Sequence, residues 1–302
     1  MKINLIIDGS YLLNKNVFAL TKINELHGNL ESSLHNAVKS YSSWYGFTNI
    51  YFVSDVGQSW RKKLLPSYKG TRKKSDEIDW SFVYNSYNTF KQDLPKRVKL
   101  LESESIEGDD WISYLVTKNK DAITLIVSND HDIKQLITYT TTPQSMICMT
   151  NEMHSSGKLF LPENYKIFLN HVRSNMSDNI FELTDDSEFL SFFNKFIMKR
   201  EVILVNSIES FITKLIQGDK SDNIKSVYIT ESSTGKKRGI GDAGVKKIYN
   251  NYIKEFGEVK LDDDDLFENI ADLICESKKA SYTKIPEIKN NLKSNMRLIN
   301  LM

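Results

Sequence analysis

Cysteine is nearly missing: Cys148 and Cys275 are the only two in 302 residues, and neither forms a CxxC or a framework spacing. A disulfide scaffold and a thiolate zinc site are therefore excluded, and each thiol is expected to be buried in a protein of a reducing cytosol. No apolar run reaches membrane-spanning length, and Met1-Lys2 leads straight into a strand pattern with no signal-peptide signature, so neither membrane nor leader is expected. No repeat or low-complexity tract occurs. Charge of one sign is not in excess either, since the formal net charge is +1. That sum hides segregation along the chain: Arg61, Lys62, Lys63, Lys69, Arg72, Lys73 and Lys74 follow one another without an intervening acid.

What is present is an ordinary globular composition, 40% hydrophobic and 26% charged, in a chain long enough for one large domain or two. Lys2–Ile7 reads as a buried parallel strand ending at Asp8-Gly9-Ser10. Asn49–Val53 reads as a second strand ending at Ser54-Asp55, after a helix over Leu34–Tyr45 that stops at Gly46. Ile123–Val127 is a third, followed by Ser128-Asn129-Asp130-His131-Asp132. Three apolar strands thus deliver acids at their carboxyl ends, the edge where an open α/β sheet binds its ligands. For Asp8 alone, capping the next turn is an equal reading.

Glu107-Gly108-Asp109-Asp110 opens the helix before the third strand, so five carboxylates frame one helix-strand unit. Like charges held within ~4 to 6 Å resist joint ionisation, and a hard divalent cation removes that cost. Oxygen donors with no Cys or His in cation-binding spacing point to Mg2+, or Mn2+ in its place. The spacing alone suggests a metal-dependent phosphoryl-transfer site.

Ser59–Lys74 reads as a short helix and an exposed loop in which Trp60 and Tyr68 interleave with the positive charges. Cations with aromatic faces suit a threaded single strand, led by Lys69 and Arg72, and a solvated basic face is the alternative. Further on, Ile133–Thr138 reads as a short helix, Ser145–Thr150 as a strand, Pro162–Arg173 as a helix and Ser174–Asp186 as a linker. Ser187–Met198 and Val202–Gln217 read as helices, which makes the second half mostly α. Gly218-Asp219-Lys220-Ser221-Asp222-Asn223 brings Asp219 and Asp222 three positions apart, and Asp262–Asp265 reads as the start of a helix. Gly239-Ile240-Gly241 precedes a helix from about Val245; with Lys236, Lys237, Arg238, Lys246 and Lys247 around it, this turn favours a duplex backbone.

The ordered set Asp8-Gly9-Ser10, Tyr68-Lys69-Gly70-Thr71-Arg72, Glu107-Gly108-Asp109-Asp110, Ser128-Asn129-Asp130-His131-Asp132, Gly218-Asp219-Lys220-Ser221-Asp222-Asn223 and Gly239-Ile240-Gly241 resembles the 5′-nuclease family, from Asp8 to about Phe256. Length and the residues between Asn223 and Gly239 are most similar to its ribonuclease H branch of T-even-like phages. The resemblance implies an α/β fold with a central, mostly parallel sheet flanked by helices. It implies a catalytic domain over about 1–185 with a helical arch at about 60–95, and a helical domain over about 186–302 with a helix-three-turn-helix element at about 210–256. It also implies one Mg2+ group at Asp8, Asp55, Glu107, Asp109 and Asp130, with Asp110 in its outer shell, and a second through Asp132, Asp219 and Asp222. Lys69 and Arg72 would act on the scissile phosphate. Tyr68, Arg61, Lys62, Lys236, Lys237, Arg238, Gly239, Gly241, Lys246 and Lys247 would hold substrate.

The activity so implied is 5′-3′ exonuclease, flap endonuclease and ribonuclease H on branched or nicked duplex DNA, 5′ flaps and RNA–DNA hybrids, by a monomer in the cytoplasm, of the bacterial host if phage-encoded. A sliding clamp or single-strand-binding protein is the expected partner. The rivals are a PIN-like ribonuclease, which would lack the basic arch and glycine hairpin, and a catalytically silent branched-DNA-binding protein. A haloacid-dehalogenase phosphatase fits less well, because no second acid stands two positions after Asp8. Two departures stand out: Asp242 and Ala243 follow the glycine turn where the family often has Lys, and His131 has no assigned role. Leu298–Met302 either packs internally or docks on a replication protein.

Overall fold

The computed structural model describes residues 2–141, 144–153, 157–178, 183–231 and 234–301. In order, the elements are β1 (Lys2–Asp8), α1 (Gly9–Lys22), α2 (Leu26–Ser42), β2 (Asn49–Val53), α3 (Arg61–Leu64), α4 (Trp80–Gln92), β3 (Val98–Leu101), α5 (Gly108–Lys118), β4 (Ala122–Val127) and a 3-10 turn (His131–Leu136). Then come β5 (Tyr139–Thr141), β6 (Gln144–Thr150), β7 (Lys158–Pro162), α6 (Tyr165–Asp178), α7 (Leu183–Met198) and β8 (Glu201–Val205). The remainder is α8 (Ser207–Gln217), the short strands β9 (Thr230–Glu231) and β10 (Lys237–Arg238), α9 (Asp242–Phe256), α10 (Leu266–Lys278), a second 3-10 turn (Tyr282–Lys284) and α11 (Ile285–Ile299).

Two compact units result: Met1–Ser59 with Lys74–Ser207 and Leu301–Met302, and Trp60–Lys73 with Ile208–Asn300. The first is a mixed, mostly parallel sheet in the order β3-β2-β1-β4-β6-β7-β8, with β5 paired to β6. Among the described residues of this sheet, only the β6–β7 and β5–β6 pairs are antiparallel. Because successive side chains on a strand point to opposite faces, each central strand feeds two cores. Ile3, Leu5 and Ile7 of β1 and Ile123, Leu125 and Val127 of β4 join α1, α2, α4, α6 and α7 on one side. Ile6 and Ile126 join Ile112, Leu115 and Val116 of α5 on the other. β4 is buried along its whole length, as its unbroken apolar run requires. Truncating a residue such as Leu34 or Leu125 to Ala there should cost about 2–5 kcal/mol.

The second unit is mostly helical, its core built from Phe211, Leu215 and Ile216 of α8, Val245 and Ile248 of α9, Ile270 and Ile274 of α10, and Leu292 of α11.

Several expectations change. Val202–Val205, read as the start of a helix, is strand β8 in parallel register with β7, because a β-branched run beside an open strand pairs before it coils. The stretch 174–186, read as a linker, is helical at Tyr165–Asp178 and from Leu183, and 179–182 lies outside the described residues. The division falls after Ser207 rather than near 185, because β8 completes the first sheet. The stretch 60–95 is split: Trp60–Lys73 belongs to the helical unit, and α4 packs on α2 in the sheet unit. Of the C-terminal end Leu298–Met302, Leu298, Ile299 and Leu301 pack internally, and Met302 lies outside the described residues. Leu298 and Ile299 are in the helical core, and Leu301 is buried in the sheet unit, its amide donating to Gln135 Oε1 at 2.9 Å.

Candidate metal centre and nucleic-acid interface

The parallel register sets the first site. Asp8 pairs with Val53 of β2, and Ile7 with Val127 of β4, so the segments that follow all three strands leave the sheet at one edge, where strand order reverses on either side of β1. Asp8 is 6% exposed and both its oxygens are used: Oδ1 accepts the Tyr11 amide at 3.0 Å and caps α1, and Oδ2 accepts the Ser128 hydroxyl at 2.6 Å. The capping role, one of the two readings of Asp8 in the sequence, is thus observed. Gly9 is required beside it, because a Cβ there would lie 2.3 Å from the Tyr87 hydroxyl. That buried hydroxyl donates to Ser54 Oγ at 3.1 Å.

Asp55 is exposed at the same edge, its Oδ1 accepting the Gly108 amide at 2.5 Å and its Oδ2 the Ser10 hydroxyl at 2.8 Å. Glu107, 7% exposed, caps α5 in a reciprocal box in which its own amide donates to Asp110 Oδ2 at 3.1 Å. Asp110 is therefore engaged in holding the helix start, and Asp109 next to it is half-buried. The Asp130 amide donates to Ser128 Oγ at 3.1 Å, and Asp130 Oδ1 accepts the Asp132 amide at 2.8 Å. Burial first, then the nearby Asp55 and Asp130 charges, push the Asp8 carboxyl up to about 6 against the pull of its two hydrogen bonds. The donors gathered around Asp8 are oxygens, which fits a hard divalent cation. The sheet unit thus gathers Asp8, Asp55, Asp130 and the start of α5.

The helical unit holds the second acidic pair differently. Asp219 Oδ2 meets the Lys214 ammonium at 2.8 Å, and its Oδ1 accepts both the amide and the hydroxyl of Ser221 at 2.7 Å. Burial alone would raise its pKa; Lys214 and Ser221 outweigh burial and leave it at about 2. Asp222, 4% exposed, accepts from Arg72 Nη2 at 2.5 Å. The backbone joins in, with the Lys69 amide on the Asp222 carbonyl at 3.1 Å and Asn223 Nδ2 on the Ser67 carbonyl at 2.8 Å. Thr71 Oγ1 adds a bond to Asn223 Oδ1 at 3.0 Å. Two motifs that are 150 residues apart in sequence form one hydrogen-bonded assembly.

Arg61 and Tyr68, read as substrate contacts, are corrected by burial. The Arg61 guanidinium, 3% exposed, donates to the Leu298 carbonyl at 2.7 Å, and Tyr68, 4% exposed, belongs to the helical core. Lys69 has a left-handed backbone (φ 54°) and its ammonium lies 5.2 Å from the Tyr68 ring. Lys62 is half-buried on α3, while Lys236, Lys237, Arg238, Lys246 and Lys247 are exposed. Gly239 is needed for close approach, since a Cβ would lie 2.8 Å from Ser226; Gly241 caps α9 with open space around it. Asp242, one of the departures after that turn, accepts from Gln217 Nε2 at 2.7 Å and so ties the end of α8 to the start of α9. Sequence reasoning missed Lys214, Ser128 and Tyr87. Only Ser128 carried a signal, its place at the head of the acidic run.

The fold and its edge define an α/β protein with an oxygen-only acidic centre at the switch point of a mostly parallel sheet. Residues 4–162, just over half of the chain, match the 5′-3′ exonuclease N-terminal, resolvase-like domain, and the chain belongs to that nuclease family. Flap endonuclease Xni of Shewanella pealeana is 33% identical over 136 residues, 44% of this chain and 51% of the relative, so the chain spans about half the length of the curated relative it matches. Two solved structures share the fold. The bacteriophage T5 flap endonuclease pseudo-enzyme-product complex with DNA and metal ions has 18% identity and a TM-score of 0.56, over 99% of this chain and 89% of that one. The T5 5′-exonuclease with divalent zinc bound has 19% identity and a TM-score of 0.55, over 99% and 90%. Among the described residues no helix is long and apolar enough to cross a membrane.

Proposed function

We propose that this chain is a Mg2+-dependent 5′ nuclease, a 5′-3′ exonuclease and flap endonuclease with ribonuclease H activity that removes RNA primers during phage replication. Its substrates would be nicked or branched duplex DNA, 5′ flaps and RNA–DNA hybrids. The observation that carries this reading is Asp8, buried between the Asp55 and Asp130 charges with its carboxyl pushed up to about 6. Asp8, Asp55, Glu107, Asp109 and Asp130 would hold one cation, and the resemblance assigns Asp132, Asp219 and Asp222 to a second; Mn2+ would substitute. Such cations supply Lewis-acid stabilisation of the reacting phosphate and a lowered pKa for water.

The remaining work falls to the chain. Ser128 and the Tyr11 amide fix the two oxygens of Asp8, and Ser10 and the Gly108 amide fix those of Asp55, so the donors are set before charge develops. Arg72 would exchange Asp222 for a phosphate oxygen, and Lys69 would add a second positive charge. Lys236, Lys237, Arg238, Lys246 and Lys247 would grip the duplex backbone whatever its sequence. A sliding clamp or single-strand-binding protein is the replication partner this role calls for, with the enzyme acting as a monomer in the cytoplasm.

End-labelled nicked, flapped and RNA-primed duplexes, incubated with Mg2+ or with chelator, test the reading. Cleavage near the 5′ end that needs Mg2+ supports it. Binding without cleavage in Mg2+ would return the chain to the class of silent branched-DNA binders.

A further inference from the structure

The helical unit has a polar groove of about 330 Å³ between residues 225–229 and one face of α11. Lys225 and Tyr228 line one wall, and Lys284, Glu287, Asn291 and Asn295 the other. The wall is pinned in place: Asn291 Nδ2 donates to the Val227 carbonyl at 3.1 Å, and the buried Asn295 amide donates to the Leu215 and Lys225 carbonyls at 3.0 and 2.9 Å. Lys284 holds its ammonium 5.6 Å from the Tyr228 ring, within cation–π reach, which keeps the charge at the groove. Two lysines and one glutamate line the groove, so its lining is net positive. Lys225, Lys284 and Glu287 are all exposed, so the groove is open, whereas small-molecule sites are mostly apolar and enclosing.

Its place in the chain selects the anion. Residues 225–229 run from the Asp219–Asn223 loop to β9, which pairs with β10 and its exposed Lys237 and Arg238, and Ser226 on that wall packs against Gly239, the first glycine of the turn. We propose that this groove is a phosphodiester-backbone subsite in which Lys225 and Lys284 each contact a phosphate of a nucleic-acid strand, extending the duplex grip from the glycine turn onto α11. The inference rests on the reading of the helical unit as a nucleic-acid holder.

The test is the affinity of the full chain for a nicked duplex, in Ca2+ to block cleavage, across a salt series from 50 to 200 mM. Removing one phosphate-binding ammonium should lower the slope of log affinity against log salt by about 0.9, which over that fourfold range is a factor of about 3.5 per ammonium. Lys225→Ala with Lys284→Ala should therefore reduce the salt-induced loss of affinity by about twelvefold. Glu287→Gln, which removes the opposing charge, should tighten binding. Melting curves show whether each variant is folded, and because both lysines are exposed, wild-type melting is expected. Salt-dependent binding by wild type with the same slope in the folded double variant would overturn the groove alone. A wild type with no salt-dependent affinity for the nicked duplex would overturn the nucleic-acid reading beneath it.

Discussion

The two acidic centres use the same side chain in opposite electrical settings. In the sheet unit, Asp8 is surrounded by further carboxylates and its pKa is raised to about 6; in the helical unit, Asp219 is bonded to Lys214 and Ser221 and its pKa is lowered to about 2. The difference lies in what compensates the charge. Around Asp8 the protein supplies hydroxyls and amides, which orient oxygens but bring no full positive charge. Around Asp219 and Asp222 it supplies Lys214 and Arg72, so that pair is neutralised by the protein itself. Asp8 itself is held by neutral donors, whereas Asp219 and Asp222 must each release a charged side chain to take another cation.

The contrast can be broken most forcefully at the chemistry. Asp132→Asn should leave folding and DNA binding intact while lowering turnover by at least about a hundredfold, read by single-turnover cleavage of a flap substrate. Full turnover in that variant would remove Asp132 from the cation groups. Lys69→Ala and Arg72→Ala should each lower single-turnover cleavage more than affinity for branched DNA. Arg72→Ala should also lower stability by about 1 kcal/mol, because it removes the cation paired with Asp222. Equal losses of rate and affinity would make both residues ordinary phosphate grips.

The pH dependence of stability sharpens the comparison, since the two signs are opposite. In metal-free protein Asp8 binds its proton more tightly folded than unfolded, so it lowers stability as pH rises from about 4 to 6, by at most about 3 kcal/mol. Asp8→Asn should abolish that fall and melt higher than wild type at pH 7 but not at pH 4. Asp219 behaves inversely. Its stabilisation is present above its ordinary value of 3.8 and is lost as pH falls toward about 2. Lys214→Met should remove about 1–2 kcal/mol at pH 7, a solvent-screened contribution, and flatten the acid limb of the stability curve. The smallest expected effect is at the glycine turn, where removing one charge among Lys236, Lys237, Arg238, Lys246 and Lys247 should lower the salt slope of binding by about 0.9.

The acidic edge was legible because a parallel strand buried on both faces announces itself as an apolar run, and the residue after it must leave the sheet where ligands bind. Asp8, Asp55 and Asp130 followed from that rule alone. The strand at Val202–Val205 did not, because four apolar residues continue without a break into an amphipathic helix and local periodicity cannot separate the two. Arg61 and Tyr68 misled for a different reason: a basic-aromatic run looks solvent-facing until a distant carbonyl, that of Leu298, and the core around Phe211 claim it. The union of Tyr68–Arg72 with the Asp219–Asn223 loop was equally hidden, since nothing local in either motif specifies a partner so far along the chain.

The central claim is that the Asp8 cluster is a cation-binding catalytic centre, and one titration tests it directly. Chelator-treated wild type and Asp8→Asn are titrated with Mg2+ at pH 7 while cleavage of an end-labelled 5′-flap duplex and the melting temperature are both followed. Wild type is expected to gain cleavage and melting temperature together as Mg2+ rises, while Asp8→Asn starts more stable, gains little and does not cleave. Cleavage by Asp8→Asn at the wild-type rate and the same Mg2+ concentration would contradict the account.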